Sequence, residues 1–178
     1  MASAVRKTNS EAMAQRREMM SQVFCRIFAC AISALAAILM AFNRETAVFG
    51  NVQMQADYTT VSTFKFFIAG NAVVSAFCLF TLPMIVSSQG KSRFMHAADL
   101  VIMGLEVAAA ASATAVSYVG KYGNESAGWM PVCGYFPNFC NKTEACLAIN
   151  FLGCGFCYIF SFLLPVSELK PSEGTFHG

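Results

Sequence analysis

The chain has 178 residues, 56% of them hydrophobic and only 12% charged, with a mean hydropathy of +0.53. A soluble domain carries about 25% charged residues, so this composition excludes an ordinary water-soluble enzyme and points to lipid as the main solvent. A net formal charge of +2 is too small to argue for nucleic acid as a partner.

Residues 1–22 are polar, with Arg6, Lys7, Arg16 and Arg17 beside Glu11 and Glu18. They read as a cytosolic tail, disordered or weakly helical. Four apolar stretches follow, at about 23–42, 64–86, 97–119 and 145–166. Each has roughly the twenty residues that cross about 30 Å of hydrocarbon at 1.5 Å per residue. Helix is the form required, because a lone strand leaves its backbone polar groups unpaired in lipid. The first stretch exceeds the 7–15 apolar residues of a signal peptide and no small-x-small site follows, so it reads as an uncleaved anchor. Residues 167–178 form a second cytosolic tail. The predicted fold is an all-α membrane protein, a four-helix transmembrane bundle over 23–166 with both termini cytosolic.

That orientation follows from the basic residues. The N-terminal tail, Lys91 and Arg93 in the loop between helices two and three, and Lys170 share one side. Arg44, Lys65, Lys121 and Lys142 lie on the other. The four basic residues of the tail tip the bias towards termini inside. Two glycosylation sequons, Asn124-Glu125-Ser126 and Asn141-Lys142-Thr143, fall in the loop between helices three and four. Together they place that loop outside. Asn141 is close to the membrane and follows Cys140 directly, so Asn124 is the better acceptor.

Ionisable side chains inside spans are costly and need partners. Arg26 in helix one and Asp99 in helix three lie at similar depth near the cytosolic ends. Either both snorkel separately to the headgroups, or they form a bridge that fixes helix one against helix three. Glu106 is two turns beyond Asp99 on the same face, near the bilayer middle. It is neutralised by a proton, finds a polar partner such as Asn71 or Ser75 on helix two, or lines a wet cavity. Helix three is rich in small residues. Gly104, Ala108 and Ser112 fall at steps of four, as do Ala111 and Ala115. Such a face lets another helix backbone approach closely, either inside the bundle or in an oligomer.

The eight cysteines divide by depth. Cys30, Cys78, Cys154 and Cys157 read as small apolar fillers; the Cys154/Cys157 pair lacks a nearby His or second pair for a metal. Cys25, near the cytosolic interface, is a palmitoylation candidate. Cys133 and Cys140 lie in the outer loop, where a disulfide is permitted, and Cys146 is a competing partner for either. A stapled loop carrying Trp129, Phe136 and Phe139 reads as a contact surface or as part of the aromatic belt. No catalytic constellation, metal cluster or cofactor motif is found.

An ordered set of features runs from about Val23 to Leu164. It comprises Arg26, Phe64 to Phe67, Leu82-Pro83 closing helix two, Asp99, the Ala108 to Ala115 stretch, Asn124, and Trp129…Cys133…Phe136…Phe139-Cys140. This pattern resembles the Casparian strip membrane domain protein-like (CASP-like) family of plants, related to the MARVEL four-helix proteins. Its members carry an arginine in the first helix and an aspartate in the third, matching Arg26 and Asp99. Gln55-Ala56-Asp57-Tyr58 and Thr63-Phe64 are similar to the first outer loop of true Casparian strip proteins, but the acidic pair and Leu-Pro between them are missing. That points to a CASP-like member. The resemblance implies a non-enzymatic plasma-membrane scaffold that forms homo-oligomers and hetero-oligomers with related four-pass proteins. In the Casparian case such platforms position extracellular cell-wall enzymes. The alternative is a small channel or transporter with Glu106 and Asp99 in a polar pathway.

Overall fold

The computed structural model describes residues 2–88 and 93–167. Lys91 and the tail from 168 onwards, with Lys170, lie outside the described residues, as does the side chain of Cys157. The element order is α1 (Ala2–Ala41), β1 (Arg44–Phe49), β2 (Val52–Asp57), α2 (Ser62–Ser88), α3 (Arg93–Tyr122), a 3-10 turn (Glu125–Ala127) and α4 (Pro137–Ser167).

Three of these helices contain stretches long and apolar enough to cross a membrane: Glu11–Ala41, Ser62–Ser87 and Ala97–Tyr122. The side chains of the fourth are described only as far as Phe156. Helix α1 packs on α2 and α4, and α3 packs on the same two. The helices therefore form a ring in chain order, with α1 and α3 on one diagonal. Close packing has to hold them, because lipid tails are as apolar as the side chains and burial alone gives little driving force. At Gly70 of α2 an added Cβ would stand 2.9 Å from Ala109 Cβ of α3, so these two backbones approach at a distance only glycine allows. The apolar core joins Ala36 and Met40 of α1, Phe64 and Phe67 of α2, Ala110 and Ala113 of α3, and Cys146 and Leu147 of α4. It fills the half of the bundle nearest the α1–α2 and α3–α4 connections.

Several elements differ from the sequence expectation. The polar segment before the first span is helical and continuous with it as α1. Pro83 lies inside α2 and does not end it. Proline at this depth is tolerated where neighbouring groups re-satisfy the freed backbone. Helix α4 begins at Pro137, well before its apolar run. Proline suits a first helical position because it has no N–H to leave unpaired. The first outer connection is an antiparallel hairpin, in continuous register from Arg44↔Asp57 to Phe49↔Val52, turning through Gly50-Asn51.

Candidate functional site

Polar side chains inside the bundle are stacked in levels, and each level ties together helices that are not sequence neighbours. At the level nearest the α2–α3 connection, Arg26 Nη2 donates to both oxygens of Asp99, at 2.6 and 2.7 Å. Arg26 Nη1 donates to Thr81 Oγ1 of α2, and the guanidinium lies over the Phe77 ring, 5.5 Å from its centroid. The Thr81 hydroxyl in turn donates to Phe77 O at 2.7 Å. Arg26 is thus held by α2 and α3 together, and its side chain is 9% exposed against 41% for Asp99. One turn further in, Cys30 Sγ and Ser75 Oγ are 3.3 Å apart.

The next level draws one residue from each helix. Ser33 Oγ donates to Glu106 Oε1 at 3.0 Å, and Asn150 Nδ2 donates to the same oxygen at 3.3 Å. Asn150 Nδ2 also donates to Asn71 Oδ1 at 2.6 Å, and Asn71 Nδ2 donates to Phe67 O. Ser33, Asn71, Glu106 and Asn150 are all buried. Glu106 does have polar partners, but neither Asn71 nor Ser75, the two examples offered on helix two, bonds it directly. Glu106 is bonded by α1 and α4, Asn71 reaches it only through Asn150, and Ser75 faces Cys30. The reason is geometric: α3 turns this face to the bundle axis, where the Ser33 side chain of the diagonal helix α1 reaches it. Arg26 and Ser33 are seven residues apart, as are Asp99 and Glu106. Two turns, about 10.5 Å, separate the levels on each helix, which requires α1 and α3 to run parallel.

At the far end of the bundle, Asn43 is buried just beyond α1, and its Nδ2 donates to Phe139 O (2.9 Å) and Thr143 Oγ1 (3.0 Å). Glu45 of β1 receives hydrogen bonds from Asn138 Nδ2 (2.9 Å) and from the Phe139 backbone N–H (2.6 Å). A carboxylate there caps orphan donors at the N-terminus of α4 and complements its dipole. Lys121 and Glu144 pair at 2.7 Å on the exposed α3–α4 seam. In the turn after β2, Asp57 accepts from the backbone N–H of Thr59 (2.8 Å) and of Thr60 (3.2 Å). The Thr59 hydroxyl bond, chief among these, holds the Asp57 carboxyl below its ordinary value of 3.8.

Cys133 and Cys140 are disulfide-bonded, with Cα atoms 5.7 Å apart, and Cys146 is a buried free thiol. Cys25 is buried as well, which removes the access a lipid-transferring enzyme would need. The three aromatic residues of the outer loop do not share one surface. Trp129 is exposed, but Phe136 and Phe139 are buried in the core, with Phe139 edge-on to Phe64 at 5.9 Å. The expectation of a contact surface made of all three is corrected. Starting α4 at Pro137 and closing the disulfide turn both phenylalanines inwards, Phe139 onto Phe64 of α2. The two sequons also part company. Asn124 lies in an exposed turn and Asn141 in the second turn of α4, where Thr143 of its sequon is buried and bonded to Phe139 O.

On α3, Ala109, Ala110 and Ala113 are fully buried and face the bundle. Gly104, Ala108, Ala111 and Ala115 are exposed on its outer side, with Ser112 at the edge. Nothing stands within 4 Å of a Cβ added at Gly104. The hydroxyls of Ser112, Thr114 and Ser117 are spent on Ala109 O, Ala110 O and Ala113 O.

Ser33, Asn43, Glu45, Thr81 and Asn150 are members that sequence reasoning did not find. Asn150 alone gives a signal, being the one asparagine in the apolar 145–166 stretch; an amide there normally bonds across helices. The Casparian strip membrane protein domain matches residues 15–156. The chain belongs to that family. It is 35% identical to CASP-like protein 1F2 of Vitis vinifera over 84% of this chain and 79% of the relative. It is 33% identical to CASP-like protein 1F1 of Ricinus communis, over 82% and 85%. With CASP-like protein 1C1 of Arabidopsis thaliana it shares 37%, over 70% and 74%. No solved structure matches the chain. The CASP-like chain is therefore a non-enzymatic, four-pass membrane protein. In this family setting its polar levels are read as helix-binding elements and not as a catalytic centre.

Proposed function

We propose that the chain is a plasma-membrane scaffold that associates with itself and with related four-pass proteins to build a membrane domain. The observation that carries this reading is the outer flank of α3. Gly104, Ala108, Ala111 and Ala115 turn away from the bundle and leave a flat strip of helix uncovered. A strip of this kind lets a second helix approach closely enough for backbone contact, the main source of helix association in lipid. Both termini are cytosolic in this reading, and the hairpin and disulfide-bonded loop face outwards, where they would meet cell-wall enzymes. Asn124 is the glycan acceptor. Its Oδ1 accepts from Ala127 N–H in the turn, a cap that does not use Nδ2, the atom a glycan takes. Asn141 belongs to a helix whose sequon threonine is buried.

The channel reading is weaker. Beyond the Glu106 level, Ala36, Met40, Phe67 and Ala113 are all fully buried, and among the described residues they interrupt the polar path towards the far side.

The test is cross-linking. Single cysteines placed at Ala108 and Ala111, in a background where the free native thiols are replaced, should give disulfide dimers in intact membranes. Cysteines at Ile38 and Leu39, on the exposed flank of α1, should give few. Equal cross-linking at both flanks would remove α3 as the interface.

A further inference from the structure

The loop after α3 does not rise straight away from the membrane. Gly123 adopts a φ of +73°, and an added Cβ there would meet Trp129 O at 2.7 Å; a glycine is needed for the chain to reverse. The reversal is closed by Asn124 N–H to Trp129 O (2.8 Å) and Trp129 N–H to Asn124 O (2.9 Å). The strand of loop that follows lies back along the helix it has just left. Val132 N–H and Cys133 N–H both donate to Gly120 O, at 2.8 and 3.1 Å. Gly120 is inside the candidate span Ala97–Tyr122, so the loop returns to the depth of the last turns of that span.

Between loop and helix lies a groove of about 510 Å³. Ala115, Val116, Val119 and Gly120 of the helix form one wall, and Trp129, Met130 and Val132 of the loop the other. The volume falls within the range of about 300–1,000 Å³ usual for small-molecule sites. Every lining residue but Trp129 lacks a side-chain polar atom, which argues against a polar ligand. Trp129 is 61% exposed and Met130 76%, an exposure that is costly in water for residues of this size. The groove lies beside the exposed flank of α3, on which Val107, Tyr118 and Tyr122 are also exposed.

We propose that this groove holds one hydrocarbon chain of a lipid from the adjacent leaflet, and that the Trp129–Val132 loop is a membrane-dipping wedge. Tryptophan suits the boundary, since its ring prefers the level of the headgroups with its N–H turned to water. The inference does not depend on self-association. It requires only that α3 spans the bilayer, and it applies whichever side the loop faces.

Trp129 is the single tryptophan of the chain, so its fluorescence reports on this site alone. The full chain, reconstituted in phosphatidylcholine vesicles, is measured with lipids brominated near the carbonyl end of the acyl chain and separately with aqueous iodide. Strong quenching by the bromolipid with little by iodide is expected. Quenching by iodide with none by bromolipid would overturn the proposal. So would shielding from both that is lost when the chain is diluted to monomers, because a second copy would then be the cover. A phosphatidylcholine with a photoreactive acyl chain provides the second measurement. Label should concentrate on residues 115–132 and fall several-fold in Val119→Phe, which fills the groove. A labelling level no higher than on the exposed flank of α1, or unchanged by the filling, would also overturn it.

Discussion

Arg26 and Asp99, 73 positions apart in sequence, meet across the diagonal of the bundle through two hydrogen bonds of 2.6 and 2.7 Å. The pair sets α1 against α3, and Thr81 adds α2 to the same joint. Removing one member of a fully buried pair costs about 3–5 kcal/mol. Asp99 is 41% exposed on its side chain, so Asp99→Asn should cost less, about 1–3 kcal/mol. Arg26→Gln should cost as much or more, because Thr81 and Phe77 lose their cation as well. Thermal unfolding in detergent measures both. The double reversal Arg26→Asp with Asp99→Arg should recover part of the loss; no recovery would mean that the two residues act separately.

The Glu106 level predicts a different ordering. Glu106→Leu removes the acceptor for Ser33 Oγ and Asn150 Nδ2. A buried donor left unpaired costs about 1–3 kcal/mol, although membrane helices recover part of this by finding other partners. Glu106→Gln keeps an acceptor oxygen and should unfold closer to the unaltered chain. It should also leave ion flux through reconstituted vesicles unchanged. A flux present in the unaltered chain and abolished by Glu106→Gln would revive the channel reading.

Glu45 links two outer segments that have no covalent connection near each other. Glu45→Ala should cost about 0.5–2 kcal/mol, the usual range for a lost helix cap. It should also speed hydrogen exchange at the Phe139 amide, whose bond to Glu45 is 2.6 Å. Glu45→Gln should fall between the two. Unchanged exchange at Phe139 in Glu45→Ala would show that the disulfide alone orders this end of α4.

Asp57 gives the hairpin a pH dependence of known sign. Its carboxyl is held below the ordinary 3.8, first by the Thr59 hydroxyl. A carboxylate with a lowered value contributes stability above its unfolded value and loses it as pH falls through the folded one. Protection of the Thr59 and Thr60 amides should therefore hold from neutral pH down to about 4 and decline below it. Asp57→Asn should flatten that profile, and an unchanged decline in this variant would assign it to another group.

Much of the architecture was legible because lipid imposes simple rules. A span needs about twenty apolar residues, and a charge inside one needs a partner, which singled out Arg26, Asp99 and Glu106 before any geometry. Identity of the partners was harder. Which residues face Glu106 depends on how each helix is rotated, and nothing in an apolar helix marks Ser33 as different from Ser75. The hairpin did leave a trace. Gly50-Asn51 between two six-residue runs is a two-residue turn signal, although Arg44, Glu45 and the two glutamines of β2 weaken the alternating apolar pattern that marks a strand. Phe136 and Phe139 were misplaced for a related reason. Aromatic residues outside an apolar run read as surface, whereas the start of α4 at Pro137 and the Cys133–Cys140 bond turn them inwards.

Lateral association into an immobile membrane domain would slow the diffusion of the chain. Its most direct test is fluorescence recovery after photobleaching of a tagged copy in the plasma membrane of a plant cell. Slow or absent recovery, restored to fast recovery by bulky residues at Gly104 and Ala108, is the predicted result. Fast recovery of the unaltered chain, at the rate of a freely diffusing four-helix monomer, would rule out a scaffold.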